Sequence, residues 1–190
     1  MKKNAVAKGQ YGYLNSRKKI SIFRCLLCCA LTLLLVLCGR VFFRQHGGLF
    51  VILAIISAVP AAMSAVTMTM FLRFQTGRRE VFDEVEKVKE NAQVFYDSVI
   101  TTREKSYPVN CFAAFNKNLL VLSEYEGVDE APLIHHLENM AKKNGFKDWN
   151  IKLFRDLSKF TTRLAYLEEK NMKTLKQDVE MIELVRSLSL

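Results

Sequence analysis

Proline and glycine are scarce in this 190-residue chain, at three and eight residues. That scarcity excludes a collagen-like repeat and a proline-rich disordered segment. The few glycines form no Gly-x-Gly-x-x-Gly, no phosphate-binding Gly-Lys-Ser loop and no Gly-x-Ser-x-Gly elbow, and His-Glu-x-x-His is also missing. The backbone cradles for phosphate and most common catalytic templates are therefore absent. Cysteine is present five times, but four of the five lie in one apolar run. Such clustering is not the even, loop-spaced framework of a small disulfide-bonded secreted protein, and it fits a reducing compartment.

The most uneven absence is that of acid. Met1 to Thr76 holds ten Lys and Arg and no Asp or Glu, whereas Gly77 to Leu190 holds eighteen basic and nineteen acidic residues, a difference of −1. A pI near 9.4 invites a nucleic-acid reading, but the whole positive excess sits beside apolar runs, where it acts on membrane orientation and anionic headgroups. No specific nucleic-acid binding is expected.

Leu49 to Leu72 is twenty-four residues without a charge, enough at about 1.5 Å per residue to cross a hydrocarbon core of about 30 Å. Ile20 to Phe43 spans as well if Arg24 and Arg40 extend their charged ends to the interfaces. After Cys38 the chain reads Gly-Arg-Val-Phe-Phe-Arg, without the small-x-small site of a cleaved signal. The reading is a basic arm over 1–19, a two-helix hairpin over 20–72, a cytoplasmic domain over 77–170 and a helical tail over 171–190. Seven cations precede the core of the first span, two lie in the link and Arg73, Arg78 and Arg79 follow the second. This asymmetry places both termini in the cytoplasm and the protein in the plasma membrane as a multi-pass chain. Ala54, Ala58 and Ala62, and again Ser57, Ala61 and Ala65, recur at the spacing that lets helices pack in lipid. Pro60 is a tolerated mid-span bend. Lys2, Lys3, Lys8, Arg17, Lys18 and Lys19 serve as the topology signal and as ligands for anionic lipid headgroups.

From Gly77 the composition turns to mixed and charged. Val81, Val85, Val88, Ala92, Phe95 and Val99 recur at helical spacing, yet Val94 to Thr102 is rich in β-branched and aromatic residues. A helix to about Gln93 and then a strand is the expectation. Val109–Phe115 and Leu119–Tyr125 flank Asn116-Lys117-Asn118, a hairpin signature. Pro132 after Asp129 and Glu130 starts a helix that Gly145 stops. Trp149–Phe154 alternates as a strand, and Leu157, Phe160, Leu164 and Leu167 mark a last helix capped by Asp156 or Ser158. The class is α+β, ordered helix, three strands, helix, strand, helix. A second stripe, Met172, Leu175, Val179 and Ile182, restarts after a break near Asn171 and offers a surface for self-association.

Chemistry is sparse. His135 and Glu138 share a helix face as metal ligands, but zinc needs three or four. Cys25, Cys28, Cys29 and Cys38 read as small apolar residues of a span, and Cys111 as core. No cofactor is implied. The order of elements resembles the core of restriction-endonuclease-like nucleases, a family that holds magnesium with an Asp on its second strand and Glu-x-Lys on its third. Here those strands carry Asn110-Cys111-Phe112 and Leu122-Ser123-Glu124-Tyr125, so the residues for such a site are Asp97, Glu124 and Lys105, nearest the expected sheet. The opening Asn4 to Tyr13, Arg17-Lys18-Lys19, the two spans and Asp97 to Thr102 resemble a group of two-span membrane proteins of Gram-positive bacteria. Some of these are labelled O-linked N-acetylglucosamine transferase-like. The chain has no 34-residue helical repeat and no Asp-x-Asp for a nucleotide sugar, and that activity is not carried over. The expected function is a membrane-anchored, non-catalytic binding or regulatory module whose partners are the bilayer and another protein. The alternatives are a membrane-tethered nuclease-like domain and a small subunit of a transport assembly.

Overall fold

The computed structural model describes residues 6–41, 47–102, 105–170 and 175–190. The chain divides into two compact units, Leu14–Gln75 and, separately, Met1–Tyr13 with Thr76–Leu190.

The first unit is a pair of helices, α1 (Tyr13–Val41) and α2 (Gly47–Leu72). Helix α1 begins seven residues before the expected Ile20 because no glycine or proline interrupts 13–38, while Gly12, with φ +89°, ends the preceding turn. Of the short turn expected between the spans at Gln45-His46-Gly47-Gly48, Gln45 and His46 lie outside the described residues, and Gly47 and Gly48 open α2. Both helices are long and apolar enough to cross a membrane. A soluble core helix passes the same test of length but is buried; here Phe23, Met63 and Val66 are 68–69% exposed. On α1, Leu14, Ser21 and Cys25 are buried and Cys28, Thr32 and Leu35 half-buried, a seam at spacings of three, four and seven. On α2 the matching face carries Ala54, Ser57, Ala61, Ser64 and Ala65. Ser57 Oγ donates to Thr32 Oγ1 at 3.1 Å, and Cys28 Sγ lies 3.7 Å from Ser64 Oγ. Ala58 and Ala62 are exposed: each four-residue step advances about 40° around a 3.6-residue helix, so from Ala54 they walk off the seam.

The second unit contains α3 (Arg79–Val88), β1 (Gln93–Thr101), β2 (Ser106–Phe115), β3 (Asn118–Leu122), α4 (Glu130–Lys143), β4 (Asn150–Phe154), α5 (Leu157–Lys170) and α6 (Lys176–Leu188). It is α+β with a mixed sheet in the order β1-β2-β3-β4, antiparallel except for the parallel β3–β4 pair. Asn116 and Lys117, at φ 46° and 59°, make the two-residue turn between β2 and β3, whose twist matches that of the strands. The parallel pair needs a crossover, and α4 supplies it.

Helices cover both faces of the sheet. Phe112, Leu119, Val121 and Ile151 pack with Leu133 and Leu137 of α4 and Met181, Ile182 and Val185 of α6. Cys111, Phe115, Leu120 and Leu122 pack with Val81 and Val85 of α3 and Phe160 and Leu164 of α5. Two covered faces explain why the central strands read as apolar runs. The second stripe divides: Ile182 is buried against the sheet, Leu175 and Val179 are exposed, and Met172 lies outside the described residues. Part of the surface expected for self-association is thus used within the chain.

The outer edge of β1 is sealed by segments from far along the sequence. The Tyr96 N–H donates to the Gly9 carbonyl at 2.9 Å, and the Leu190 N–H to the Val99 carbonyl at 3.0 Å. Lys8 Nζ ties these segments together by donating to the Ser189 carbonyl at 2.7 Å.

Candidate functional site

The densest polar cluster surrounds Asp97, in the middle of β1. On either side of it Tyr96 pairs with Cys111 and Ser98 with Val109, but Asp97 and Asn110 do not pair. Asp97 has φ 48°, a left-handed conformation that Asp tolerates better than most residues. The kink changes which side chains face the core. Phe95 and Ile100, five residues apart, lie in the same apolar cluster, as do their partners Phe112 and Tyr107. An uninterrupted strand would put such positions on opposite faces.

The carboxylate of Asp97 is 2% exposed and bonded at both oxygens. Oδ2 accepts the Gly12 N–H at 2.6 Å and Oδ1 the Gly77 N–H at 3.1 Å. The Thr76 side chain and the Tyr13 N–H add to these. Burial raises the pKa of Asp97, and the four hydrogen bonds oppose that rise without cancelling it. Around it Tyr11 stacks on Phe82, with ring centroids 5.3 Å apart. Burial, with Asp97 and Glu124 nearby, pushes the Tyr125 hydroxyl up to about 12.

On the neighbouring strand Asn110 Oδ1 accepts the Glu124 N–H at 3.0 Å. The Glu124 carboxylate is held by Arg78 in a two-point contact, Nε to Oε2 at 3.2 Å and Nη2 to Oε1, and that ion pair raises the pKa of Arg78. Gly77, bonded to Asp97 through its N–H, lies against the Asn110 side chain. A Cβ on Gly77 would lie 2.7 Å from Asn110 Nδ2, so any larger residue would have to displace the Asn110 side chain that holds Glu124. The junction gathers Gly12 and Gly77, on either side of the helical pair in sequence, with β1, β2 and the end of β3.

Asp97 and Glu124 are therefore both tied to the Gly77–Asn110 contact, Asp97 through the Gly77 N–H and Glu124 through the Asn110 amide, while Lys105 pairs with Asp129 at 2.7 Å. This set does not fit magnesium. Both oxygens of Asp97 are directed at main-chain N–H groups, both oxygens of Glu124 at Arg78, and a neutral Asn110 stands where the nuclease pattern has an acid. On α4, His135 is exposed and Glu138 half-buried, and among the described residues no three His, Cys, Asp or Glu side chains gather as a metal site. Lys8 holds Ser189, whereas Arg17, Lys18 and Lys19 lie on the first turns of α1. Lys2 and Lys3 lie outside the described residues. Burial pushes the Cys111 thiol well up, which makes it unreactive.

Two more buried carboxylates follow the same rule. Glu168 accepts the N–H groups of Glu90, Asn91 and Ala92 at 2.7–3.1 Å, closing the turn between α3 and β1. Asp178 accepts the Leu175 N–H at 2.9 Å at the start of α6, where a carboxylate favours the helix. Buried acid in this domain organises its main chain. Sequence reading missed Gly12 and Gly77 and named Arg78 and Asn110 only as a flanking cation and as a departure from the nuclease pattern; the available signal was Asn110, a polar residue inside the apolar run Val109 to Phe115. No protein-family model, curated protein or solved structure matches the chain.

Proposed function

We propose that this protein is a membrane-anchored, non-catalytic binding or regulatory module, held in the plasma membrane by α1 and α2 with both flanks of the pair in the cytoplasm. The observation that carries the reading is the continuous exposed apolar surface of the two helices, of which Phe23, Leu26, Met63 and Val66 are each at least 64% exposed. Contiguous apolar surface of this extent is costly in water and at home in lipid. The charge partition supports the orientation, and the resemblance of the opening segment and of Asp97–Thr102 to two-span membrane proteins supports the same address. The non-catalytic reading is supported by the junction, where the acids already serve the chain's own donors.

Green fluorescent protein fused at either end tests the orientation. Fluorescence from both fusions is expected, and alkaline phosphatase activity from either end overturns it. Magnesium titration of the full chain in micelles, watched by NMR, tests the rest. The expected result is no localised response at Asp97 or Glu124; saturable shifts confined to those carboxylates would favour the nuclease-like reading.

A further inference from the structure

The two edges of the sheet are treated differently. The β1 edge is sealed by Gly9 and Leu190. The β4 edge is open: Asn150 sends its N–H to Lys117 of the β3 side, and Phe154 receives the N–H of Ser123 from that side. By strand alternation the N–H and C=O groups of Ile151 and Leu153 point away from the sheet, and among the described residues no strand pairs with them. Open edges are templates for another strand, and proteins restrict which strand can add by keeping them short and placing charge on them, as the five-residue β4 does with Lys152.

Beside this edge, between α4 and β4, is a half-open cavity of about 180 Å³ lined by Ala141, Phe146, Trp149 and Ile151 and by the charged Glu138, Lys142 and Asp148. Trp149 and Phe146 meet edge to face, with centroids 5.9 Å apart. By volume the cavity has room for one side chain and is too small for an ordinary cofactor site of about 300 Å³ or more; its lining is mixed, with Phe146, Trp149 and Ile151 offering apolar contact beside the charged Glu138, Lys142 and Asp148. Lys152, the centre of the five-residue β4, is exposed on the opposite face of the strand, Ile151 being buried on the α4 face. Two copies pairing antiparallel about the strand centre would set Lys152 against its own symmetry mate, and like charges directly opposite are destabilising. A carboxylate at that place is favoured instead.

We propose that β4 is a docking edge for an extended segment of another protein with an apolar–acidic–apolar pattern. Its main chain pairs with Ile151 and Leu153, its carboxylate lies opposite Lys152, and one flanking apolar side chain fills the cavity at Trp149. Main-chain bonds supply affinity and the alternate side chains supply specificity in this mode of recognition. The proposal rests on reading the domain as a binding module and names the chemistry of its partner.

The chain has a single tryptophan, so its fluorescence reports this site in the full-length protein in micelles. The probe is the capped peptide Thr-Phe-Glu-Phe-Thr, with Thr-Phe-Lys-Phe-Thr as control. The expected result is a saturable change in Trp149 emission with the glutamate peptide and at least tenfold weaker response with the lysine peptide. Lys152→Glu should reverse that preference, and Leu153→Pro, which deletes an outward N–H, should abolish both responses. Absence of a saturable change up to millimolar peptide overturns the proposal, as does an unchanged preference in Lys152→Glu, a variant at an exposed site that keeps the test valid should Leu153→Pro fail to fold. A partner crosslinked in membranes and retained by Lys152→Glu and Leu153→Pro also overturns the edge assignment, while leaving the module reading intact.

Discussion

Asp97 shows how one side chain can hold several segments, because its two oxygens answer three main-chain donors, Gly12, Tyr13 and Gly77, and the Thr76 side chain. Replacing it with Asn preserves size and suits the positive φ, but an amide accepts at only one end and turns a donor toward an N–H at the other. Leaving a buried donor unpaired costs about 1–3 kcal/mol. Asp97→Asn is therefore expected to lose about 2 kcal/mol of domain stability, and to speed hydrogen exchange at Gly12 or Gly77 by about tenfold or more. Unchanged protection at both amides would show that the carboxylate does not hold them. The pH dependence has a definite sign. Burial raises the folded-state pKa of Asp97, so the folded form holds that proton more tightly than the unfolded chain does. Its contribution is fully present below the ordinary carboxylate value and is lost as pH rises through the raised one. The stability gap between the native protein and Asp97→Asn should accordingly widen on acidification from neutral pH. A gap that narrows contradicts the assignment. Gly9 makes a second residue-scale test: it has φ +90° and its missing Cβ would overlap the buried ring of Phe95. Gly9→Ala should unseat the segment from β1, read as faster exchange at the Tyr96 amide.

At the scale of elements, α6 is part of the core. Met181 and Val185 are each 1% exposed and pack on the sheet, so Met181→Ala should cost about 2–5 kcal/mol in chemical unfolding. A loss below about 0.5 kcal/mol, the range of surface substitutions, would mean that α6 is only loosely attached. This element also marks the limit of what the sequence discloses. The hairpin at Asn116-Lys117, the helix from Glu130 to Lys143 and the strand before Phe154 were legible because each rests on local chemistry: positive-φ turn residues, a proline in a first turn, alternation. The attachment of α6 to β1 and β2, the grip of Glu168 on amides 76–78 residues earlier and the seat of Gly9 on Tyr96 join segments far apart, and no periodicity records such partners. The same reason divides the candidate site. Asp97 and Glu124 were visible as acids near the sheet, whereas the backbone donors and the Arg78 guanidinium that engage them became visible only with the tertiary fold. Lys105 was grouped with them by its place in the sequence, and the fold pairs it with Asp129 instead.

For the whole molecule, the junction makes the α+β unit self-sufficient once the helical pair is bypassed. The Gly12 and Gly77 N–H groups lie 2.6 Å and 3.1 Å from oxygens of the same carboxylate, so a short Gly-Ser linker can join residue 13 to residue 76 without disturbing either bond. Residues 76–190 expressed alone keep both faces of the sheet covered but lose the Gly12 and Tyr13 donors to Asp97, the Gly9 carbonyl over Tyr96 and the Lys8 contact to Ser189. At about 1 kcal/mol per hydrogen bond, the loss is about 4 kcal/mol, which for a domain of this size lowers Tm by about 10–25 °C. The linked chain should stay in solution without detergent and melt in one transition, and 76–190 should melt lower by that margin. The full-length protein should remain with the membrane after alkaline carbonate washing, because only it carries the exposed apolar surface of α1 and α2. Equal melting of the two shortened chains would deny residues 6–13 their role in the fold. Release of the full-length chain by carbonate would deny the membrane its hold on the protein, and insolubility of the linked chain would show that the apolar surface is not confined to the helical pair.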